Sequence, residues 1–177
     1  MRTQLTKQIM IHAPADDVWA VLAREFAQIG HWATGVLESS AVRSAAKPDG
    51  AKMAGRECAI DGFGTTYEIF AHYDEQGMTM GYTVRGELPS PLSSAFNHWT
   101  VRAAGANQTL VEVRPEIELA SWPGAIMAPV MRLTFGRTMG ILLDDLKYYV
   151  EQRRPSPRKL DEMDRIAPSC QGTMQAA

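Results

Sequence analysis

Three side chains that can move protons fall within stretches predicted to be strands. Glu68 carries a carboxylate, Tyr82 a phenol and His98 an imidazole, and such groups are common general acids and bases in enzymes. An imidazole titrates near neutral pH, and burial in an apolar cavity favours the neutral form of an acid. We therefore interpret these residues as candidate acid/base groups. Each also has a plain structural interpretation: an outward carboxylate, a packed core tyrosine or a surface histidine.

Other chemistries have weaker support in the sequence. The remaining histidines and the cysteines are scattered, at His12, His31, His72, Cys58 and Cys170. No His-x-x-x-His pair, paired-cysteine spacing or Gly-x-Ser-x-Gly sequence is present, so we expect no metal site and no cofactor. Arg56 and Arg114 have two possible interpretations. They are either anchors for a ligand carboxylate or enolate, or outward surface cations.

Alternation of apolar and polar residues predicts the strands that carry these groups. One strand is expected over 5–12, and six more follow, separated by short turns rich in Gly, Asp and Asn. Their predicted ranges are 36–43, 53–61, 65–73, 78–86, 96–103 and 109–119. Consecutive strands joined by short turns favour an antiparallel meander. Alternation places Glu68, Phe70 and His72 on one face, without indicating whether that face points inward.

Helical periodicity marks the regions on either side of these strands. Pro14 and the two aspartates after it predict a short first helix, and residues 26–29 a second. Apolar residues recur every three or four positions over 127–150, which predicts a long C-terminal helix that ends before Pro155.

The order of these elements predicts an α+β fold. A half-buried antiparallel sheet must cover its apolar face, and the long helix is the large apolar element available. We expect a seven-stranded curved antiparallel sheet around that helix, two short helices closing one end, and an internal cavity. The domain is predicted to cover residues 1–154, with 155–177 as a tail, either a short helix or disordered. Gly136 and Gly140 within the long helix suggest close approach of the sheet or room for a ligand.

Composition excludes several classes of protein. The chain has 177 residues, 45% hydrophobic and 21% charged, which is typical of one folded domain and not of a disordered chain. A net charge of −2 argues against a nucleic-acid partner. No apolar run approaches about 18 residues and the first residues are polar, so we expect neither stable membrane insertion nor a secretory signal. The expectation is a cytoplasmic monomer or homodimer.

Several short segments form an ordered signature over about residues 4–153. They are Ile11–Trp19 after the first strand, Trp32, Gly55-Arg56, Tyr67-Glu68-Ile69 with Asp74, Tyr82-Thr83-Val84, Leu88-Pro89 and the closing Leu146-Lys147-Tyr148-Tyr149. In this order they resemble the START-like (SRPBCC) helix-grip superfamily. That superfamily includes polyketide cyclases and dehydrases, lipid-transfer domains and hormone receptors, so the resemblance specifies a fold and leaves the activity open.

The resemblance also implies where a ligand lies. Glu68 matches a glutamate that faces the ligand pocket in the receptor branch, the strand with His98 carries ligand contacts there, and the Leu88-Pro89 turn acts as a gate. The ligand-binding residues that we expect on this basis are Trp32, Phe70, Met80, Val84, Leu88, Pro89, Phe96, Met127, Met131 and Phe135.

Two functions follow as expectations. In the first, the chain is a polyketide cyclase/dehydrase-like enzyme that binds a hydrophobic or amphipathic substrate and uses Glu68, Tyr82 and His98 for proton transfer without a cofactor. In the second, it is a non-catalytic carrier or sensor of a lipid or metabolite. A carrier needs only an apolar cavity, whereas a catalyst needs polar groups that converge on one ligand atom.

Overall fold

The computed structural model describes residues 2–43, 46–62, 64–86, 88, 90, 92–119 and 124–171. Eight strands are formed: β1 (Arg2–Gln4), β2 (Lys7–Ile11), β3 (Val36–Val42), β4 (Gly55–Ile60), β5 (Gly64–Asp74), β6 (Thr79–Gly86), β7 (Leu92–Gly105) and β8 (Gln108–Leu119). All strand pairs are antiparallel, and the sheet order is β1-β8-β7-β6-β5-β4-β3. The predicted meander is therefore confirmed from β3 to β8.

The strand predicted over 5–12 is formed as β2, and an additional strand, β1, precedes it. Both β1 and β2 pair with β8, and residues 5–6 separate them. The backbone N–H of Leu5 donates to the carbonyl of Pro115 at 3.3 Å, which holds the connection against the sheet. Among the described residues the sheet therefore has eight strands, one more than the alternation predicted.

The helices lie where the periodicity placed them. Helix α1 (Ala15–Trp19) continues into a π-helical turn (Ala20–Arg24), and a 3₁₀ segment follows (Phe26–His31). The long helix α2 covers Gly124–Gln152, and α3 covers Pro157–Gln171. Among the described helices none is long and apolar enough to cross a membrane.

The main apolar core lies between the inner face of the sheet, the short helices and the C-terminal half of α2. Its largest fully buried members include Trp19, Trp32, Trp99, Tyr82 and Phe26. A second apolar cluster is built on Leu92, Ala95, Ile117 and Leu119, and it faces the N-terminal half of α2. A long helix held by a curved sheet is the α+β arrangement that the sequence predicted.

Helix α3 contacts the domain through buried polar groups. The Lys159 ammonium, 1% exposed, donates to the carbonyl of Val36 at 2.7 Å and to the Glu162 carboxylate at 2.7 Å. Glu162 in turn accepts from the backbone N–H of Gly35 at 2.7 Å. The division of the chain at residue 154 stays a prediction.

Candidate functional site

The inner face of strand β6 carries the tyrosine that was predicted as an acid/base group. Met80 and Tyr82 are 0% and 2% exposed, and Val84, next on the same face, is partly buried. In the pairing with β5, Tyr82 stands opposite Phe70 and Val84 opposite Glu68. Because directly paired residues share a face, Glu68 and Tyr82 are brought together inside the sheet.

Arg56 on β4 is the partner of Glu68. It stands opposite Glu68 in the strand pairing, and its Nε donates to the carboxylate at 2.5 Å. Its Nη1 donates to the carbonyl of Phe26 at 2.8 Å, and its guanidinium lies 3.8 Å from the centre of the Phe26 ring. Burial disfavours the charge of Arg56, but the Glu68 carboxylate keeps the Arg56 pKa above its ordinary value. The result is a buried, charged ion pair.

Trp99 on β7 orients the hydroxyl of Tyr82. The indole Nε1–H donates to the Tyr82 oxygen at 3.2 Å, so the phenolic proton remains free to be donated to another acceptor. Burial, together with the nearby Glu68 charge, raises the pKa of Tyr82. The side chain therefore stays a neutral phenol that is suited to donate a hydrogen bond, is poor as a base and is a weaker acid than an exposed tyrosine. We call Arg56, Glu68, Tyr82 and Trp99 the interior polar cluster.

Sequence reasoning left the direction of Arg56 open, and the structure places it inside, 3% exposed, whereas Arg114 lies outside. Two further residues of this region were not singled out. They are Trp99, and Asn97, which is 7% exposed and stands opposite Tyr82 on β7. The available signal was strand register, since Arg56 pairs with Glu68 and Asn97 with Tyr82.

The second apolar cluster holds four of the residues predicted to bind a ligand. Val84, Leu88, Met131 and Phe135 are all partly buried hydrophobic residues packed against it. Val84 also contacts the main core and pairs with Glu68, so it connects this cluster to the interior polar cluster. An apolar region that ends on a few polar groups is typical of small-molecule sites.

The other predicted ligand contacts are distributed differently. Trp32, Phe70 and Met80 are buried in the main core, and the indole Nε1 of Trp32 has no hydrogen-bond partner among the described residues. Phe96 pairs with Thr83 and covers Gly81, on the face opposite to Tyr82. Pro89 and the side chain of Met127 lie outside the described residues.

The structure does not bring His98 to the interior polar cluster. His98 pairs with Gly81 and stacks on His72 across that glycine, with ring centres 6.4 Å apart on the outer face of the sheet. Burial, followed by the nearby His72 and Arg114, lowers the pKa of His98. The inner face of β7 is instead formed by Ala95, Asn97 and Trp99.

Neither a nucleophile nor a metal-ligand cluster accompanies this site in the described part of the chain. Burial raises the pKa of the Cys58 thiol to about 12, so this cysteine is a poor nucleophile. No group of three or more His, Cys, Asp or Glu residues that could hold a metal ion occurs among the described residues. The polar groups that the interior offers to a ligand are the Tyr82 hydroxyl and the Glu68 carboxylate.

A family model covers nearly the whole chain. The model described as polyketide cyclase/dehydrase and lipid transport matches residues 2–151. No curated relative matches the sequence.

Solved structures share the fold at low sequence identity. A START superfamily protein from Mycobacterium smegmatis aligns with a TM-score of 0.66 and 16% identity, covering 84% of this chain and 97% of that one. The Zhui aromatase/cyclase from Streptomyces sp. R1128 aligns with a TM-score of 0.68 and 14% identity, covering 86% and 96%. A norcoclaurine synthase point mutant from Thalictrum flavum gives 0.64 and 14%, also covering 86% and 96%. These likenesses confirm the helix-grip fold.

Proposed function

Because this chain belongs to the polyketide cyclase/dehydrase and lipid transport family, we propose that it binds a hydrophobic or amphipathic small molecule between its sheet and helix α2 and catalyses a cyclase/dehydrase-like reaction on it. Membership confirms the resemblance inferred from the ordered segments. The observation that carries the enzymatic proposal is the interior polar cluster, which sets a neutral phenol beside a carboxylate on one inner face.

The two parts of the site would contact different parts of the ligand. The apolar portion would lie against Leu88, Met131 and Phe135, at the side of the second apolar cluster that faces α2. An oxygen atom of the ligand would accept the free phenolic proton of Tyr82. Met and Phe side chains adapt to irregular apolar ligands, which suits a folded carbon chain.

In a cyclisation, the two polar groups have complementary roles. Glu68 would remove a proton from a carbon between two carbonyl groups, and Tyr82 would donate its proton to the carbonyl oxygen that the resulting carbanion attacks. A carbon–carbon bond forms and a hydroxyl results, and loss of water in a later step would complete a dehydration. The apolar walls would hold the chain in a near-attack geometry.

One observation favours the non-catalytic alternative, a carrier or sensor. The Glu68 carboxylate is already engaged by the Arg56 guanidinium, and His98 lies on the opposite face. With its carboxylate held in an ion pair, the cluster can orient a polar ligand group without transferring protons.

Ligand uptake is the first test. The uncharged dye N-phenyl-1-naphthylamine should bind with increased fluorescence, and Met131→Trp should weaken its binding by filling the space beside the second apolar cluster. Tyr67→Trp on the outer part of β5, where Tyr67 is 40% exposed, is the matched control and should leave binding unchanged. No uptake, or equal effects of the two variants, would reject interior binding.

Catalysis is tested with the thioester of a short poly-β-ketone. Tyr82→Phe and Glu68→Gln should reduce cyclisation by about 100-fold or more while binding changes less than about tenfold, because proton-transfer groups act mainly on the chemical step. His98→Ala should leave both unchanged. Binding of the poly-β-ketone with no acceleration of its cyclisation would favour the carrier.

We further propose a cytoplasmic location, and a monomer or homodimer.

A further inference from the structure

A surface groove of about 520 Å³ lies on the side of α2 that faces away from the interior polar cluster. One wall is formed by Leu5 and Thr6, which connect β1 to β2, and by Lys7, the first residue of β2; the other wall is a face of α2. None of these residues belongs to the proposed interior site. The volume is within the usual range of small-molecule pockets, about 300–1,000 Å³.

Both walls of the groove are held in place by the fold. Strands β1 and β2 pair with β8 on either side of the connection, and Leu5 N–H bonds to Pro115 between them. The opposite wall is a helix of 29 residues. Both walls of the groove are thus ordered parts of the fold.

Two helical glycines form the base of the groove. A Cβ added at Gly140 would meet nothing within 4 Å, and one at Gly136 would meet only the Lys7 side chain, at 3.8 Å. Of the two sequence-based interpretations, approach of the sheet applies to Gly136 alone, through the Lys7 side chain, and Gly140 faces open space. Glycine is a poor helix former, and what its presence leaves here is open space along the helix.

The groove combines unpaired positive charge with apolar surface. Arg132 and Arg137 are about 7.5 Å apart along the helix axis, and Lys7 lies over Gly136 between them. Among the described residues these three cations have no ion-pair partner. Leu133 and Ile141 line the same groove and are 59% and 37% exposed.

The far end of the groove carries a carboxylate. Asp144 lies there, 3.9 Å from the guanidinium of Arg158 on α3, which also lies 3.7 Å from the buried Asp145 carboxylate. The groove is therefore positively charged near Gly136 and negatively charged at Asp144, and an anion is favoured at the Gly136 end.

From this arrangement we infer that the groove is a second binding site, for an amphipathic carboxylate with a single apolar chain. The carboxylate lies among Lys7, Arg132 and Arg137, and the chain lies over Gly140 against Ile141. Guanidinium groups bind carboxylates with charge-assisted hydrogen bonds, and the apolar chain covers exposed hydrophobic surface. The inference is independent of the proposed interior function.

Amide spectra of the full-length ¹⁵N-labelled chain test this site directly. Titration with monomeric dodecanoate should give saturable shifts of the Gly136 and Gly140 amide signals. Dodecanol, which has the chain without the charge, and hexanoate, which has the charge with a short chain, should each bind at least tenfold more weakly. Dodecanol binding as tightly as dodecanoate would overturn the proposal.

Two variants locate the ligand within the groove. Gly140→Leu fills the base and should weaken dodecanoate binding at least tenfold, while leucine favours the helix and leaves the fold intact. Arg137→Gln should abolish the advantage of dodecanoate over dodecanol, and Arg165→Gln on the exposed part of α3 is the matched control. Unchanged affinity in Gly140→Leu would overturn the proposal.

Saturation with N-phenyl-1-naphthylamine separates the two sites. If dodecanoate binds in the groove, its effect on the two glycine amides persists when the interior is occupied by the dye. Competition between the two compounds at these amides would instead assign dodecanoate to the interior and reject the groove site.

Discussion

At the scale of single residues, Arg56 and Glu68 form an ion pair inside the sheet with little access to solvent. Their side chains are 4% and 13% exposed, so each charge has lost most of its hydration and is stabilised mainly by the opposite charge. Arg56 also donates to the Phe26 carbonyl, which joins β4 to the 3₁₀ segment at the closed end of the grip. The pair thus connects the position of the candidate acid/base group to the packing of the short helices.

Removal of one partner of this pair should cost far more than removal of both. Arg56→Met leaves the Glu68 carboxylate buried without its counter-ion, and we expect a loss of about 3–5 kcal/mol in the free energy of unfolding, measured in urea. Arg56→Met combined with Glu68→Leu should recover most of that loss. Arg85→Met, at an exposed position on β6, is the control and should change little. A double variant no more stable than the single one would show that the charges are not coupled.

At the scale of elements, a β-bulge decides which side chains reach the interior. Sequence alternation put Phe70 and His72 on the same face, and the pairing of β5 with β6 shifts between these two residues. After the shift Tyr73 stands opposite Met80 inside the core, and His72 stands opposite Gly81 outside. A one-residue insertion exchanges the two faces of a strand, and residue types alone do not specify where it falls.

The same limit explains which parts of the site were predictable. Alternation assigned Tyr82 and Val84 to one face with Met80. The structure agrees with this assignment because the pairing of β6 with β7 has no register shift between these residues. His98 was assigned by analogy of position, and its placement depends on the register of β7 against β6. The long helix was predictable from its period alone, since a repeat of three or four residues over many turns has no competing interpretation.

The outer face of the sheet should make stability depend on pH near neutrality. His98 faces His72 from β5 and Arg114, Glu112 and Glu116 from β8, and burial lowers its pKa below the unfolded value of 6.5. Below that pH the unfolded chain binds more protons than the folded chain, so this group lowers stability as the pH falls. The fall in Tm between about pH 7.5 and 5.5 should be smaller in His98→Asn than in the parent.

Exposed His31 provides the matched control for this pH effect. His31→Asn should keep the pH dependence of the parent, because the change is far from the stacked imidazoles. If His98→Asn and the parent lost stability in parallel over this range, the outer-face histidine would not be the titrating group.

At the scale of the whole molecule, α3 takes part in a network of buried polar contacts with α2 and with the segment around the start of β3. Asp145 on α2, 0% exposed, accepts from the backbone N–H of Thr34 at 2.9 Å and from the Ser156 hydroxyl at 2.6 Å. Lys159 and Glu162 bind the neighbouring backbone at Val36 and Gly35. The segment before β3, the long helix and α3 therefore share one set of buried polar contacts, and we propose that α3 folds with the domain.

Truncation after Arg154 tests that proposal. The shortened chain loses Ser156, Lys159 and Glu162, so the buried Asp145 carboxylate and the Val36 carbonyl each lose a donor. Because a buried charge that loses its partner is costly, we expect stability to fall by about 3 kcal/mol or more in urea unfolding. A chain ending after Gln171 retains α3 and should unfold like the full-length protein. Equal unfolding midpoints for the two truncated chains would mean that residues 155–171 are an independent tail, as the sequence first suggested.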